Sequence, residues 1–190
     1  GEIGDLQEIE VINLSENFLH GELPPQLNNL KKLRVLFIEL FTRNTAGLSG
    51  PLLAFDQMSA LRELYLGSNS LTGSIPQGFL SGASDMDDII KIDLKSNELT
   101  GTVPEDLGRF SHLDIDMTGN MIEEIPQSLC EMEGWMEGSV EKFGCDAVLC
   151  EAGKFNQYGR QSTEDHPCTD CAGSDAPPYL GSLYCSSEKK

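Results

Sequence analysis

Six cysteines offer the most chemistry in this chain: Cys130, Cys145, Cys150, Cys168, Cys171 and Cys185, all of them after residue 129 of 190. An even number of thiols crowded into a polar, glycine-rich tail predicts a disulfide framework. Disulfides persist in oxidising compartments, so the expected location is extracytoplasmic: secreted, at a cell surface or in an oxidising lumen. The Cys168-Thr-Asp-Cys171 spacing also suits zinc, but a zinc site needs a second pair or histidine partners. Only His166 is near, and no second C-x-x-C follows. No metal site is therefore expected. Catalytic chemistry fares no better. The three histidines, His20, His112 and His166, lie in separate regions, and no G-x-S-x-G, H-E-x-x-H or phosphate-loop motif occurs. With 31 acidic residues, carboxylate pairs arise by composition alone and single out no general acid or base. The sequence predicts no enzyme, no catalytic residue and no cofactor.

The same charge narrows the partners. Thirteen basic side chains against 31 acidic ones leave a net charge of −18. A phosphate backbone requires a positive footprint, so nucleic acid is excluded as a partner, and anionic membrane surfaces are disfavoured for the same reason. No apolar run approaches the ~18 residues that span a bilayer, so no membrane insertion is expected. The hydrophobic fraction of 39% is nevertheless enough to build a core.

What must position these groups is a repeat. Ile12, Leu14, Asn17, Leu19, Gly21, Leu23 and Pro24 align with Leu64, Leu66, Asn69, Leu71, Gly73, Ile75 and Pro76, and again with Ile92, Leu94, Asn97, Leu99, Gly101, Val103 and Pro104. Each copy reads L-x-L-x-x-N-x-L-x-G-x-I-P. A shorter copy runs through Ile115, Met117, Asn120, Ile122, Ile125 and Pro126 without the glycine. A degraded copy has Leu36, Ile38, Leu48, Gly50 and Leu52, with its asparagine displaced to Asn44 by an insertion around residues 40–46. Gly21, Gly50, Gly73 and Gly101 are separated by 29, 23 and 28 residues.

That pattern and period resemble the leucine-rich-repeat family, in particular its plant-type subclass, over about two thirds of the chain. The implied fold is an α/β solenoid: a right-handed superhelix of about five repeats with short parallel strands on its concave face, followed by a small disulfide-rich C-terminal module. The corresponding boundaries are residues 1–129 for the solenoid, 130–149 for a C-terminal cap and 150–190 for the cysteine-rich module.

The physical logic of the repeat is independent of the resemblance. L-x-L is a short strand whose alternate residues enter the core. One repeat cannot bury its apolar face alone, so neighbours stack around a shared interior. Asn17, Asn69, Asn97 and Asn120 follow the strands where the backbone turns inward, and their amides can satisfy backbone groups that stacking removes from water. The glycines supply a backbone freedom or close approach that a side chain would block. The prolines open a short helical or extended return on the convex side. These are structural roles.

The outward strand residues then form columns. The middle column is Asn13, Phe37, Tyr65, Asp93 and Asp116; the preceding one is Val11, Val35, Glu63, Lys91 and Asp114; the following one is Ser15, Glu39, Gly67, Lys95 and Thr118. Val35, Phe37, Glu63, Tyr65, Lys91, Asp93 and Asp116 are the candidate ligand-binding residues. The aromatic pair suits a protein or a sugar. Lys91 and Lys95 beside Asp93 make a charge ladder the better account of the acidic residues than a calcium site. Asn13-Leu14-Ser15 is a glycosylation sequon, but a glycan there would obstruct the concave face. Ser84-Asp-Met-Asp-Asp88 interrupts the repeat as a convex loop or helix start.

The tail, with Cys150, Gly153, Phe155, Gly159, Cys168 and Cys171, resembles the cysteine-rich segment that follows leucine-rich repeats in diatom and related algal extracellular proteins, and the C-x-x-G-x-[FY] segments of growth-factor-like receptor modules. It departs from them in Ala152, where a proline is usual. Among 15 pairings the expected one is sequential: Cys130–Cys145, Cys150–Cys168 and Cys171–Cys185. At the other end, Ile3, Leu6 and Ile9 already belong to a repeat with no capping segment before them, which predicts either further protein upstream or a partner covering that end, as within a large assembly. The expected function is non-catalytic protein interaction, an extracytoplasmic recognition or scaffold surface. The alternatives are an accessory subunit of a large algal complex, and an inhibitor of a cell-wall enzyme or a carbohydrate binder.

Overall fold

The computed structural model describes residues 2–40, 47–83, 88–172 and 176–185. The expected insertion with Asn44 and most of the Ser84–Asp88 loop lie outside them. Each L-x-L segment forms a three- or four-residue strand: β1 (Val11–Asn13), β3 (Val35–Phe37), β5 (Glu63–Tyr65), β7 (Ile90–Asp93) and β9 (Leu113–Asp116), the even-numbered strands belonging to a second sheet. The five pair in parallel in the order β1-β3-β5-β7-β9, with Asn13, Phe37, Tyr65, Asp93 and Asp116 in register. One residue in two turns inward, and Leu36, Leu64, Leu66, Ile92, Leu94, Ile115 and Met117 are all buried. The fold is a leucine-rich-repeat solenoid with parallel strands on its concave face.

The repeat's glycine segment does more than return the chain. β2 (Gly21–Glu22), β4 (Leu48–Pro51), β6 (Ser70–Ser74), β8 (Glu98–Thr102) and β10 (Met121–Glu124) make a second parallel sheet on the other side of the core. Gly21, Gly73 and Gly101 sit at φ of 89°, 78° and 77°, where an L side chain is strained. A Cβ on Gly21 or Gly73 would meet nothing within 4 Å. At these positions backbone freedom, rather than close approach, is what the repeat demands of glycine. After three of the prolines the chain enters short 3-10 turns, Pro25–Asn29, Glu105–Arg109 and Gln127–Glu131. Their buried leucines, Leu27, Leu107 and Leu129, close the third side of the core.

Asparagines stitch the turns together. Asn97 Nδ2 donates to the carbonyls of Leu66 (3.0 Å) in the previous turn and Leu94 (3.0 Å) in its own, and its Oδ1 accepts from Leu71 N (3.0 Å). Asn69 and Asn120 repeat the arrangement. Asn17, in the first turn, is exposed and among the described residues bonds to Leu14 and Ser15 of its own turn.

The two ends differ. At the C-terminal end, Trp135 is fully buried and donates from Nε1 to the Phe110 carbonyl (2.8 Å), while Met136 Sδ accepts from Ile115 N on the edge strand β9 (3.3 Å). Helix α1 (Ser139–Phe143) and buried Val148 and Leu149 complete the cover. At the N-terminal end a 3-10 turn, Glu2–Asp5, packs against Pro25–Asn29, yet Leu14 and Leu19 stay only partly buried and Phe18 is 84% exposed.

Candidate binding face and its C-terminal boundary

The concave face begins with an aromatic stack. Phe37 and Tyr65 occupy adjacent strands at the same register, so their rings fall about one strand spacing apart. Their centroids are 4.4 Å apart with planes 8° from parallel. Val35 lies beside the pair and exposed Val11 beyond it. Tyr65 Oη donates to Glu63 Oε2 (2.9 Å). Burial, that hydrogen bond, and the charges of Glu63, Asp114 and Asp93 push the Tyr65 phenol from 10.0 up to about 12.

This shift has a directional consequence. Between pH 10 and about 12 the folded chain keeps a proton that the unfolded chain releases. The contribution is present below pH 10 and is lost as pH rises through the folded value. In an ultraviolet titration of phenolate absorbance, the step near pH 12 is expected to vanish in Tyr65→Phe. If that variant instead loses a step near pH 10, the negative surroundings assigned to this ring are wrong.

Next to the stack lies a bonded triad of charges. Lys95 Nζ contacts Asp93 Oδ2 (2.7 Å) and reaches across the intervening strand β5 to Glu39 Oε1 (2.9 Å). Gly67 makes the reach possible, because a Cβ there would stand 2.8 Å from Asp93 Oδ1 and 3.1 Å from Glu39 Oε1. Burial alone would lower the Lys95 ammonium, but the two carboxylates outweigh it and hold it above its ordinary value. Burial pushes the Asp93 carboxyl up, against the opposing effect of Lys95. Lys95, rather than Lys91, is the lysine bonded to Asp93; Lys91 stands exposed on the surface. Asp116 accepts from the backbone and hydroxyl of Thr118 (3.0 and 2.7 Å).

The face ends against the cysteine-rich segment. Disulfides join Cys130 to Cys145, Cys150 to Cys168 and Cys171 to Cys185, so Cys168 and Cys171 serve different bridges. Strands β11 (Lys154–Phe155) and β12 (Thr169–Asp170) pair antiparallel. Buried Asn156 ties the loop together, donating to the His166 carbonyl and accepting from Tyr158 N (2.7 Å). The segment is hydrogen-bonded to the last turn through Leu180 N to Ile122 O (2.9 Å) and Gly119 N to Gly181 O (3.2 Å). Gly159 permits this approach: a Cβ there would lie 2.6 Å from Gly181 O and 2.8 Å from Thr118. Arg160 then extends onto the concave strands, 3.4 Å from Ile115 O and 3.9 Å from Asp114 Oδ1. A cleft of about 350 Å³ remains between Lys95, Asp116 and Thr118 on one side and Tyr158 and Arg160 on the other.

The structure therefore brings Val35, Phe37, Glu63, Tyr65, Lys91, Asp93 and Asp116 onto one sheet face. Sequence reasoning missed Arg160 and the Glu39–Lys95 bridge. Column alignment had placed Glu39, Gly67 and Lys95 in one row, which was the available signal for the bridge; no local signal pointed to Arg160. Asn13 is exposed at the head of the middle column, its Oδ1 accepting from Ser15 N (3.1 Å). Among the described residues no group of three or more His, Cys, Asp or Glu is arranged to hold a metal, and no helix is long and apolar enough to cross a membrane.

Comparison with known proteins agrees with this architecture. The family described as Leucine Rich Repeat matches residues 8–30 and 60–81. No curated protein matches the chain. Among solved structures, the plant peptide hormone receptor RGFR1 in complex with RGF2 is similar at 30% identity and a TM-score of 0.59, over 70% of this chain and 20% of the receptor. The PEPR1-AtPEP1 structure is similar at 29% and 0.59, over 70% and 18%. The ectodomain of the receptor kinase SOBIR1 from Arabidopsis thaliana is similar at 28% and 0.52, over 65% and 64%. The chain thus spans about a fifth of the first two and less than two thirds of the third. Its fold is the leucine-rich-repeat solenoid of these plant receptor ectodomains, closed by a disulfide-rich C-terminal segment.

Proposed function

We propose that the chain is an extracytoplasmic recognition module that binds a protein partner on its concave face, through Val35, Phe37, Glu63, Tyr65, Lys91, Asp93 and Asp116. The observation that carries this reading is the Phe37–Tyr65 stack, a half-buried aromatic platform presented outward on a rigid sheet. Aromatic side chains supply large contact area at low entropic cost, which is why they concentrate at protein interfaces. One of the similar structures is, by its description, a plant peptide hormone receptor in complex with RGF2, which supports a protein or peptide ligand here. A diatom or algal affiliation is a finer reading that rests on the cysteine and glycine spacing of the tail.

The test is a native pull-down read by quantitative mass spectrometry. A partner captured by the unaltered chain is expected to be lost with Phe37→Ala/Tyr65→Ala and kept with Thr72→Ala/Thr102→Ala on the second sheet. The reverse pattern would move the binding site to the other face. Retention of a glycan-array signal that depends on Phe37 and Tyr65, with no protein captured, would replace the protein ligand by a carbohydrate.

A second reading, that the N-terminal turn is covered either by further protein upstream or by an assembly in which the chain is a fixed subunit, is motivated by exposed Leu6, Val11 and Phe18. Native mass measurement separates it, since a subunit migrates with its assembly and a free recognition module does not.

A further inference from the structure

Asn13-Leu14-Ser15 is the only Asn-x-Ser/Thr sequence in the chain. The repeat uses most of its asparagines inside the stack, where the amides of Asn69, Asn97 and Asn120 are buried and bonded to carbonyls of two turns. Asn13 is placed differently. Its side chain is exposed, its Oδ1 accepts from Ser15 N (3.1 Å), and its Nδ2 bonds to no described residue. Ser15 Oγ in turn accepts from Glu39 N (3.1 Å), which fixes the rest of the sequon on the turn after β1. Folding thus leaves clear the one nitrogen that an N-linked glycan needs. The sequence predicts that such a glycan would obstruct the concave face, but β1 is the outermost strand of the described sheet. A glycan on Asn13 stands at the border of that sheet and leaves the columns of Tyr65, Asp93 and Asp116 uncovered.

Phe37 offers the first sugar a seat. Asn13 and Phe37 are register partners on β1 and β3, as Phe37 and Tyr65 are on β3 and β5. The two ring centroids are 4.4 Å apart with planes 8° from parallel. That separation is close to one strand spacing of about 4.8 Å, so the ring normals run across the sheet from strand to strand. Tyr65 covers one face of Phe37, and the other face is turned toward Asn13. The negative face of an aromatic ring attracts the weakly positive C–H groups that line one side of a pyranose.

We propose that Asn13 carries an N-linked glycan whose first sugar packs on the free face of Phe37 and continues the Phe37–Tyr65 stack. The co-reactant is a lipid-diphosphate-linked oligosaccharide, the donor met on a secretory route. Asn13 Nδ2 bonds to the anomeric carbon of the first sugar, and that carbon's bond to the diphosphate oxygen breaks. The lipid diphosphate leaves with the electron pair, and the amide gives up one proton. This modification goes beyond the recognition reading and does not depend on it, because the outward edges of both rings, Glu63 and the acidic residues remain open to a protein partner.

The experiment digests the native protein and treats the peptide containing residue 13 with a peptide-N-glycosidase in heavy-oxygen water. A heavy-oxygen label at position 13 is expected, since release of the glycan hydrolyses the Asn13 amide. An unlabelled, unmodified Asn13 would overturn the proposal. In the chain secreted from eukaryotic cells, Asn13→Gln and Ser15→Ala are expected to abolish the glycan and Ser15→Thr to keep it; a glycan that persists in Asn13→Gln would also overturn it. The seat on Phe37 is read by nuclear magnetic resonance of the glycosylated chain. The ring protons of the first sugar are expected upfield of their positions in the isolated glycopeptide, shifted by the aromatic ring current. They are expected to return to those positions in Phe37→Leu, which keeps apolar bulk without a ring, and to stay upfield in Tyr65→Phe. Sugar protons unshifted in the unaltered chain, or equally shifted in Phe37→Leu, would overturn the placement on Phe37.

Discussion

Replacing Asn97 by alanine is expected to cost about 3 kcal/mol or more, the largest effect of any single polar substitution in the solenoid. The side chain is 2% exposed and replaces water for three backbone groups at once, the carbonyls of Leu66 and Leu94 and the amide of Leu71. Alanine leaves those groups buried and unpaired, and each such group carries a penalty of about 1–3 kcal/mol. The same change at Asn17 is expected to cost less than about 1 kcal/mol, because its partners belong to its own turn and water reaches them. Urea unfolding followed by circular dichroism measures both. Equal costs at the two positions would mean that the asparagine acts within a turn and does not join neighbours.

Trp135→Ala is expected to cost about 3–5 kcal/mol. The indole is fully buried at the end of the stack, and its removal opens a cavity between Phe110 and the cap while leaving the Phe110 carbonyl without its donor. The cap cannot slide inward to fill the space, since Gly134 already lies so close that a Cβ would meet Ser111 O. Because the chain has one tryptophan, the unfolding probe must be circular dichroism and not fluorescence. Tyr184→Ala, at an exposed position, is the matched aromatic control and is expected to stay within about 0.5 kcal/mol. A loss at Trp135 no greater than at Tyr184 would show that the solenoid does not depend on this cover.

The fold was legible where it follows from one strand and its neighbours. The L-x-L spacing places Leu64 and Leu66 inside and Tyr65 outside, and the constant offset from strand to asparagine aligns the columns. The second sheet was not legible. Gly21, Gly73 and Gly101 read as points of backbone freedom, but pairing β2, β4, β6 and β8 depends on how far each turn travels before it meets the next. That distance is set by the stacking itself. The Phe37–Tyr65 contact is a direct consequence of register and was readable. The Glu39–Lys95 bridge needs a side chain long enough to cross an intervening strand and a glycine beneath it, a three-body condition that pairwise reading overlooks. Arg160 reaches the face only because the bridged segment is bonded to the last turn, a contact between parts far apart in sequence.

The exposed first turn follows the same physics from the other side. Interior turns bury their leucines between two neighbours, and the first has one. Leu14 and Leu19 are the counterparts of Leu66 and Leu71, identical in type, and they differ in burial because of position in the stack. Composition does not distinguish them.

The account stands or falls on which surface meets the partner. A photo-reactive residue placed at Tyr65 on the concave sheet, and in a separate variant at Thr72 on the second sheet, reports this directly when each chain is illuminated in native extract and its cross-linked products are sequenced. The prediction is a specific covalent adduct from position 65 and none from position 72. An adduct formed from position 72 but not from position 65 would contradict it.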